Sequence, residues 1–441
     1  MQTIKLNIFL TILIILCLDL FSCKFLENKS LSEEEDVITT IKEDDESALR
    51  DALLILWKFG GIIYIDTPVI NIKKEEGLTI KGAFEGGIVG IQQENGEYPI
   101  LNFKEQRDTT TLLYVAGLSI DGSNKLIKNL IFENAGTTGI SVNGQKNTLD
   151  HIITRYNGHS GIYIFPQSDS NTLNHCYSYR NFHFNENRLT ADGFTVENGG
   201  INNVFNYCFA WENSQNGFGY YYWDGKSING ALTYSHSASW NNGNINVFSG
   251  KYDFNNKKAL DKNMWTIQQI MKSDENFEKN YKNKKFNLDN ATIKSKPAKE
   301  YFTIYDEKNE GNGFNFGNEN NDQVISNLRT VDYCVAFDNK SKGFNSNKSK
   351  NFNGFFTNCV GYNNEMNYDL PYSFSKWSNN WSWGSEEEDE LIWDLEIKIP
   401  SNEKSEKKKF DSIKNQIIQA VYANTFPDNI NFDKTIKSLK E

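Results

Sequence analysis

A parallel β-helix is the fold class this sequence predicts, and three observations predict it. First, an asparagine returns once per repeat, five residues after a marker residue. The segments run from Asn129 to Asn134, Ile152 to Asn157, Cys176 to Asn181, Cys208 to Asn213, His236 to Asn241, Cys334 to Asn339 and Cys359 to Asn364. Second, Gly-Ile or Gly-Phe soon follows most of these asparagines, at Gly139-Ile140, Gly161-Ile162, Gly193-Phe194, Gly217-Phe218 and Gly343-Phe344. Third, where no large insertion intervenes the period is in the low twenties of residues, roughly the spacing of stacked repeats. Each unit holds two short apolar strands and a turn, too little to bury a core alone. Stacking solves this, because strands pair with the coils above and below at about 4.8 Å. An asparagine at the same turn of every coil can bond its neighbours' amides, which makes an internal ladder.

The elements follow in order. Lys5, the apolar run from Leu6 to Leu18, and Leu20-Phe21-Ser22-Cys23 read as an export signal over residues 1–22. A leucine three residues before a cysteine resembles a bacterial lipobox, with Cys23 as the lipidated first mature residue. Plain secretion and an uncleaved anchor are the alternatives. Residues 23–47 are acidic and poor in apolar side chains, as a flexible tether would be. From Ser47 to Phe59, Ala48, Leu49, Ala52, Leu53, Leu56 and Trp57 share one helical face, and Gly60-Gly61 ends the helix. Such a helix can cap the open first coil, which otherwise exposes core and strand edges. The β-helix domain is expected over residues 48–384. A lysine-rich insertion without the ladder interrupts it at about 251–310, and the repeat resumes at Gly313-Phe314. Trp377, Trp381 and Trp383 suggest a buried cap. In the acidic and helical segment 385–441, Phe410, Ile413, Ile417, Ile418 and Val421 mark an amphipathic helix against the solenoid's flank or end.

By length, 441 residues would make two or three ordinary domains of about 100–200 residues, but a solenoid is one long domain. The net charge of −11 argues against nucleic acid and anionic membranes as partners, and mildly against an acidic polymer unless a cation intervenes. Outside the leader, Cys176, Cys208, Cys334 and Cys359 occupy one repeat position, so they read as stacked buried thiols; a bridge between rungs is the alternative. His151, His159, His175, His183 and His236 show no metal-ligand spacing and read as structural rather than catalytic.

The stretch from Gly117 to Gly243, and again from Gly311 to Asn347, resembles polysaccharide lyase family 9, the pectate lyases. The motifs that carry the resemblance are Asn134-Ala135-Gly136-Thr137-Thr138-Gly139-Ile140, Ala191-Asp192-Gly193-Phe194, Gly200 to Phe205, Ala210 to Phe218, and Gly311 to Gly317. The resemblance implies a right-handed β-helix that cleaves polygalacturonate by β-elimination. A lysine would remove the C5 proton while calcium neutralises the adjacent carboxylate. Of the residues so implied, Asp192 is present as a calcium ligand. The next two acids fall on Gln215 and Asn216, a further aspartate on Gly219, and the lysine base on Asn315. An amide cannot accept that proton. No catalytic residue is intact, and Asp192 alone would hold calcium weakly at most.

Outward-pointing members of the run Tyr220, Tyr221, Tyr222 and Trp223 could stack on sugars. Tyr220, Tyr222, Trp223 and Asn315 are thus the glycan-binding candidates; packing under the neighbouring insertion is the competing reading. Lys251 and Lys342 are candidates for a relocated base. The expectation is an exported, lipid-anchored monomer that binds an acidic polysaccharide without cleaving it and without a cofactor. The alternatives are an active uronate lyase and a structural surface protein.

Overall fold

Alternating side chains and tight turns fold the chain into coils that stack as a parallel β-helix. The computed structural model describes residues 37–73, 76–108, 115–182, 184–185, 188–189, 191–197, 200–221, 231–244, 292–293, 296–297, 311–317, 327–347, 352–370, 376–391, 397–398, 403–422 and 431–437. The export signal, Cys23, His183, Tyr222, Trp223, Lys251, most of the insertion and the side chain of Trp377 lie outside the described residues. No described helix is long and apolar enough to cross a membrane.

Wall 1 is a ten-stranded parallel sheet that begins at Leu78–Ile80 and ends at Glu390–Leu391. Its register links Ile140, Ile162, Phe194, Phe218, Phe314, Phe344 and Tyr368 in one inward row. From Phe194 onward that row is a column of stacked rings, with centroids 4.9, 4.6, 5.1 and 5.0 Å apart. Earlier coils fill the place with Leu118, Ile140 and Ile162, all wholly buried. Because strand side chains alternate, Ser141, Tyr163, Thr195, Gly219, Asn315, Asn345 and Asp369 form the outward row. Walls 2 and 3 belong to one larger parallel sheet, bent at a left-handed residue in each coil. His151, His175, Tyr207, His236 and Tyr333 occupy that bend, with φ of 55, 50, 52, 49 and 50°.

The asparagine ladder runs along the turn between walls 3 and 1. Each side-chain amide donates to the next Oδ1: Asn157 to Asn181 (2.9 Å), Asn181 to Asn213 (3.0 Å), Asn213 to Asn242 (3.0 Å), Asn242 to Asn339 (2.9 Å) and Asn339 to Asn364 (3.0 Å). Asn157, Asn181, Asn213 and Asn242 are fully buried. Two expected members are corrected. Asn134 and Asn241 take the left-handed position one residue earlier, with φ of 63 and 53°. Ala135 and Asn242 stand in the ladder instead, and Ala135 joins it through its N–H to Asn157 Oδ1 (3.0 Å). A shorter ladder between walls 1 and 2, which the sequence reading missed, links Lys125, Asn147, Asn171 and Asn203.

The four cysteines are free and buried, as expected. Cys176, Cys208 and Cys359 donate their thiols to the carbonyls of Leu149, Leu173 and Val331 at 3.4 Å.

At the N-terminal end the helix Glu46–Phe59 is capped by Asp45, whose carboxylate accepts from the Ala48 N–H (3.0 Å). Leu49, Ala52, Leu53 and Leu56 close the core, while Trp57, expected on the same face, stays 47% exposed. Residues 37–41, expected within the tether, form instead a strand, Val37–Ile41, paired in parallel with Gly61–Ile65. At the other end, the helix Glu403–Tyr422 lies on the outside of wall 3 rather than over the last coil. Its Phe410, Ile413, Ile417 and Val421 are buried with Tyr177, Phe209, Trp211, Trp240, Tyr362 and Trp381. Tyr362 donates to Asp411 (2.6 Å), and Lys414 pairs with Asp338.

Between the rungs of Asn242 and Asn339 the sequence steps 97 residues, and the ladder is unbroken across that step. Gly243 (φ 76°) and Gly311 (φ 62°) touch backbone to backbone, so close that a Cβ on Gly243 would meet the Gly311 Cα at 2.4 Å.

Candidate functional site

A second turn of the coil, just before wall 1, gathers the residues that the resemblance singles out. In successive coils Asp192, Asn216 and Asn312 precede Gly193-Phe194, Gly217-Phe218 and Gly313-Phe314, so they share one position on the turn. They are joined as a third ladder. Asn216 donates its backbone N–H (2.9 Å) and its Nδ2 (3.0 Å) to Asp192 Oδ1. Asn312 donates its own pair to Asn216 Oδ1, both at 3.0 Å. The N–H of Lys342 continues the series to Asn312 Oδ1 (3.2 Å).

Asp192 is fully buried. Its second oxygen accepts from Thr195 Oγ1 (3.2 Å). Burial pushes the carboxyl up to about 7, against hydrogen bonds from Asn216 and Thr195 that hold it down. Gln215 spends its Oε1 on the Tyr221 hydroxyl (2.6 Å). Gly219, one outward position from Thr195, lies directly against Asp192: a Cβ there would stand 1.9 Å from Oδ2. Asn315 follows Gly219 in the outward row and is 6% exposed. Its Oδ1 is buried with no hydrogen-bond partner among the described residues.

The structure therefore brings Asp192, Gln215, Asn216, Gly219 and Asn315 together, but their chemistry does not fit calcium. A hard cation takes about 6–8 oxygens, several of them charged. Here there is one carboxylate with both oxygens engaged, and the amide oxygens of Gln215 and Asn216 are turned to other donors.

Tyr220 is corrected. Phe218 points inward, so Tyr220 does too; it is 3% exposed, with the Arg329 guanidinium 4.6 Å from its ring centre. Tyr221 is the outward member of that strand. Of the two lysines suggested as bases, Lys342 has its ammonium paired with the buried carboxylate of Asp369.

Toward the N-terminal coils the face of wall 1 opens. Asp121 and Asn143 are exposed, and Ser119, Tyr163, Phe165 and Glu197 are half-buried. Asn143 donates to Asp121 (2.8 Å) and Ser119 (3.0 Å), while Tyr163 donates to Glu197 (2.8 Å) and lies 4.7 Å from Phe165. Tyr163, not among the candidates above, is marked as outward-facing by its place in the strand after Gly161-Ile162.

Stacked parallel walls, buried ladders and this strip define a right-handed parallel β-helix protein. The Pel9A-like right-handed β-helix region matches residues 41–259. Pectate lyase L of Dickeya chrysanthemi is 29% identical over 176 residues, 39% of this chain and 40% of the relative. Pectate lyase L of Paenibacillus polymyxa (strain SC2) is 28% identical over 168 residues, 36% of each. The chain thus spans about 40% or less of the length of the relatives it matches. Among solved structures, pectate lyase Pel9A superposes with a TM-score of 0.56 at 18% identity, covering 85% of this chain and 80% of that one. A rhamnogalacturonan lyase gives 0.52 at 15% identity, covering 83% and 87%. Over residues 41–259 the chain is similar to the pectate-lyase-like β-helix proteins, and it shares their fold.

Proposed function

We propose that this protein binds an acidic polysaccharide along the open part of wall 1 without cleaving it, and that calcium takes no part. The observation that carries this reading is the third ladder: where elimination needs acids around a cation, Asp192 is buried with both oxygens engaged by Asn216 and Thr195. The base position holds an amide, Asn315, so neither charge neutralisation nor proton abstraction is supplied. The similarity to proteins named pectate lyase supports a uronate polymer as the ligand class. Tyr163 offers a ring face for stacking on a sugar, and Ser119 and Asn143 offer polar contacts beside it. The carboxylates of Asp121 and Glu197 are already hydrogen-bonded by neighbours, which lessens their repulsion of an acidic chain. Export and lipid anchoring at Cys23 belong to the same proposal, and loss of palmitate labelling in Cys23→Ser is its check.

The test is titration calorimetry with polygalacturonate in the presence of a chelator, together with absorbance of unsaturated product with calcium added. Binding without product, weakened at least tenfold in Tyr163→Ala, is the expected result. Steady release of unsaturated product would replace this reading with that of a lyase using a relocated base. Absence of binding to any uronate polymer would leave the structural role.

A further inference from the structure

Away from wall 1, at the bend between walls 2 and 3, the left-handed residues of successive coils stack their rings in one column. His151, His175, Tyr207, His236 and Tyr333 follow one another at centroid spacings of 4.6, 5.2, 4.8 and 5.0 Å. Histidine is among the side chains that tolerate this backbone region, so the column alone is explained by the bend. A carboxylate beside two imidazoles is not. Asp150 precedes His151, whereas the register puts Asn174, Asn206 and Ser235 at the matching place in the next coils.

Asp150 Oδ1 lies 2.8 Å from His151 Nδ1 and 3.6 Å from His175 Nδ1. The ligand atoms of all three residues fall within 4.8 Å of one another. The side chains keep 17–18% of their surface open, enough for water to reach the cluster. Lys128 Nζ sits on the other carboxylate oxygen at 2.9 Å. No ligand spacing shows among the histidines in the sequence because the relevant spacing is one coil, not one helical turn.

We propose that Asp150, His151 and His175 form a binding site for a divalent transition-metal ion of the zinc class, with solvent completing its coordination. Imidazole nitrogens and a carboxylate oxygen bind zinc at about 2.0–2.2 Å. Ligand atoms on a tetrahedron of that size stand roughly 3.3–3.6 Å apart; the His175–Asp150 separation lies at the upper end of that range, and the 2.8 Å between His151 and Asp150 would have to widen by about half an ångström. Two imidazoles with one carboxylate favour zinc, copper or nickel over calcium or magnesium. The ring column and the sheet register hold the ligands in place beforehand, which lowers the ordering cost of binding. Lys128 acts as a competing cation, and its side chain is 40% exposed and free to swing away.

The experiment uses the full chain, freed of metal by chelation, with Zn²⁺ followed by calorimetry and Co²⁺ by visible absorption. One ion with micromolar affinity and a Co²⁺ spectrum of nitrogen–oxygen ligation are expected. His175→Gln and, separately, His151→Gln should each weaken binding at least tenfold, and His159→Gln should leave it unchanged. Lys128→Met should tighten it several-fold, an effect a purely structural cluster would not produce. The wild-type titration decides even where a histidine variant folds poorly. Zn²⁺ bound no tighter than millimolar, or binding indifferent to both folded histidine variants, would overturn the proposal.

Discussion

The carboxylate of Asp192 occupies the space into which any side chain at Gly219 would have to grow, with Oδ2 standing 1.9 Å from an ideal Cβ there. The two positions exclude one another as they stand, so an aspartate at 219 cannot be added to this site without displacing Asp192. Gly219→Ala should therefore cost about 1–3 kcal/mol of stability, as overpacking does in a well-filled interior, read from urea unfolding. Asn315→Lys alone should give no turnover on polygalacturonate. The combined Gln215→Asp, Asn216→Asp, Gly219→Asp and Asn315→Lys variant should be destabilised before it is active. Turnover by the single variant would show that the charge at the site is neutralised by some other means.

Asn181→Leu removes the acceptor used by both the N–H and the Nδ2 of Asn157. A buried donor left without its partner costs about 1–3 kcal/mol, so the variant should lose at least that much. Asn241→Asp, one residue before the ladder and still suited to its left-handed backbone, should lose far less. Equal losses in the two variants would mean that the ladder register is not the one described.

Stability should fall as the pH rises from about 4 to about 7. Asp192 titrates in the folded chain at about 7, against 3.8 for the ordinary carboxyl. The folded state thus holds a proton that the unfolded chain has already released, and the stability it contributes is complete below 3.8 and gone above 7. Asp192→Asn should flatten that slope, measured as unfolding midpoints across the pH series. An unchanged slope would assign the dependence to other groups.

Phe410→Ala should destabilise by about 3–5 kcal/mol, because Phe410 fills the seam between the C-terminal helix and the aromatic face of wall 3, against Tyr362 and Trp383. Aggregation should rise with it as the apolar outer face of the wall is uncovered. A surface control such as Lys408→Ala should leave the midpoint unchanged.

The coils were legible in the sequence because one residue, the buried asparagine, has a chemical reason to recur at every turn. Its placement slipped at Asn134 and Asn241 because asparagine also suits the left-handed position beside the ladder, and Asn241-Asn242 offers both in succession. The facing of Tyr220 was also legible in principle. Gly217-Phe218 fixes Phe218 as inward and hence Tyr220 as well, whereas alternation within the aromatic run alone leaves the phase open. Asp192 was found by its motif, while its burial and its bonds to Asn216 depend on the next coil. The cluster of Asp150, His151 and His175 was hidden for a related reason, since only the stacking register makes residues 24 apart into neighbours.

The contact between Gly243 and Gly311 gives the solenoid a closed seam. Because departure and return are fastened at one point, whatever chain lies between them adds nothing to the rise from one rung to the next. The axis measures coils, not residues. Foreign sequence spliced between residues 244 and 311 should therefore be carried as cargo, leaving the rungs on either side in step.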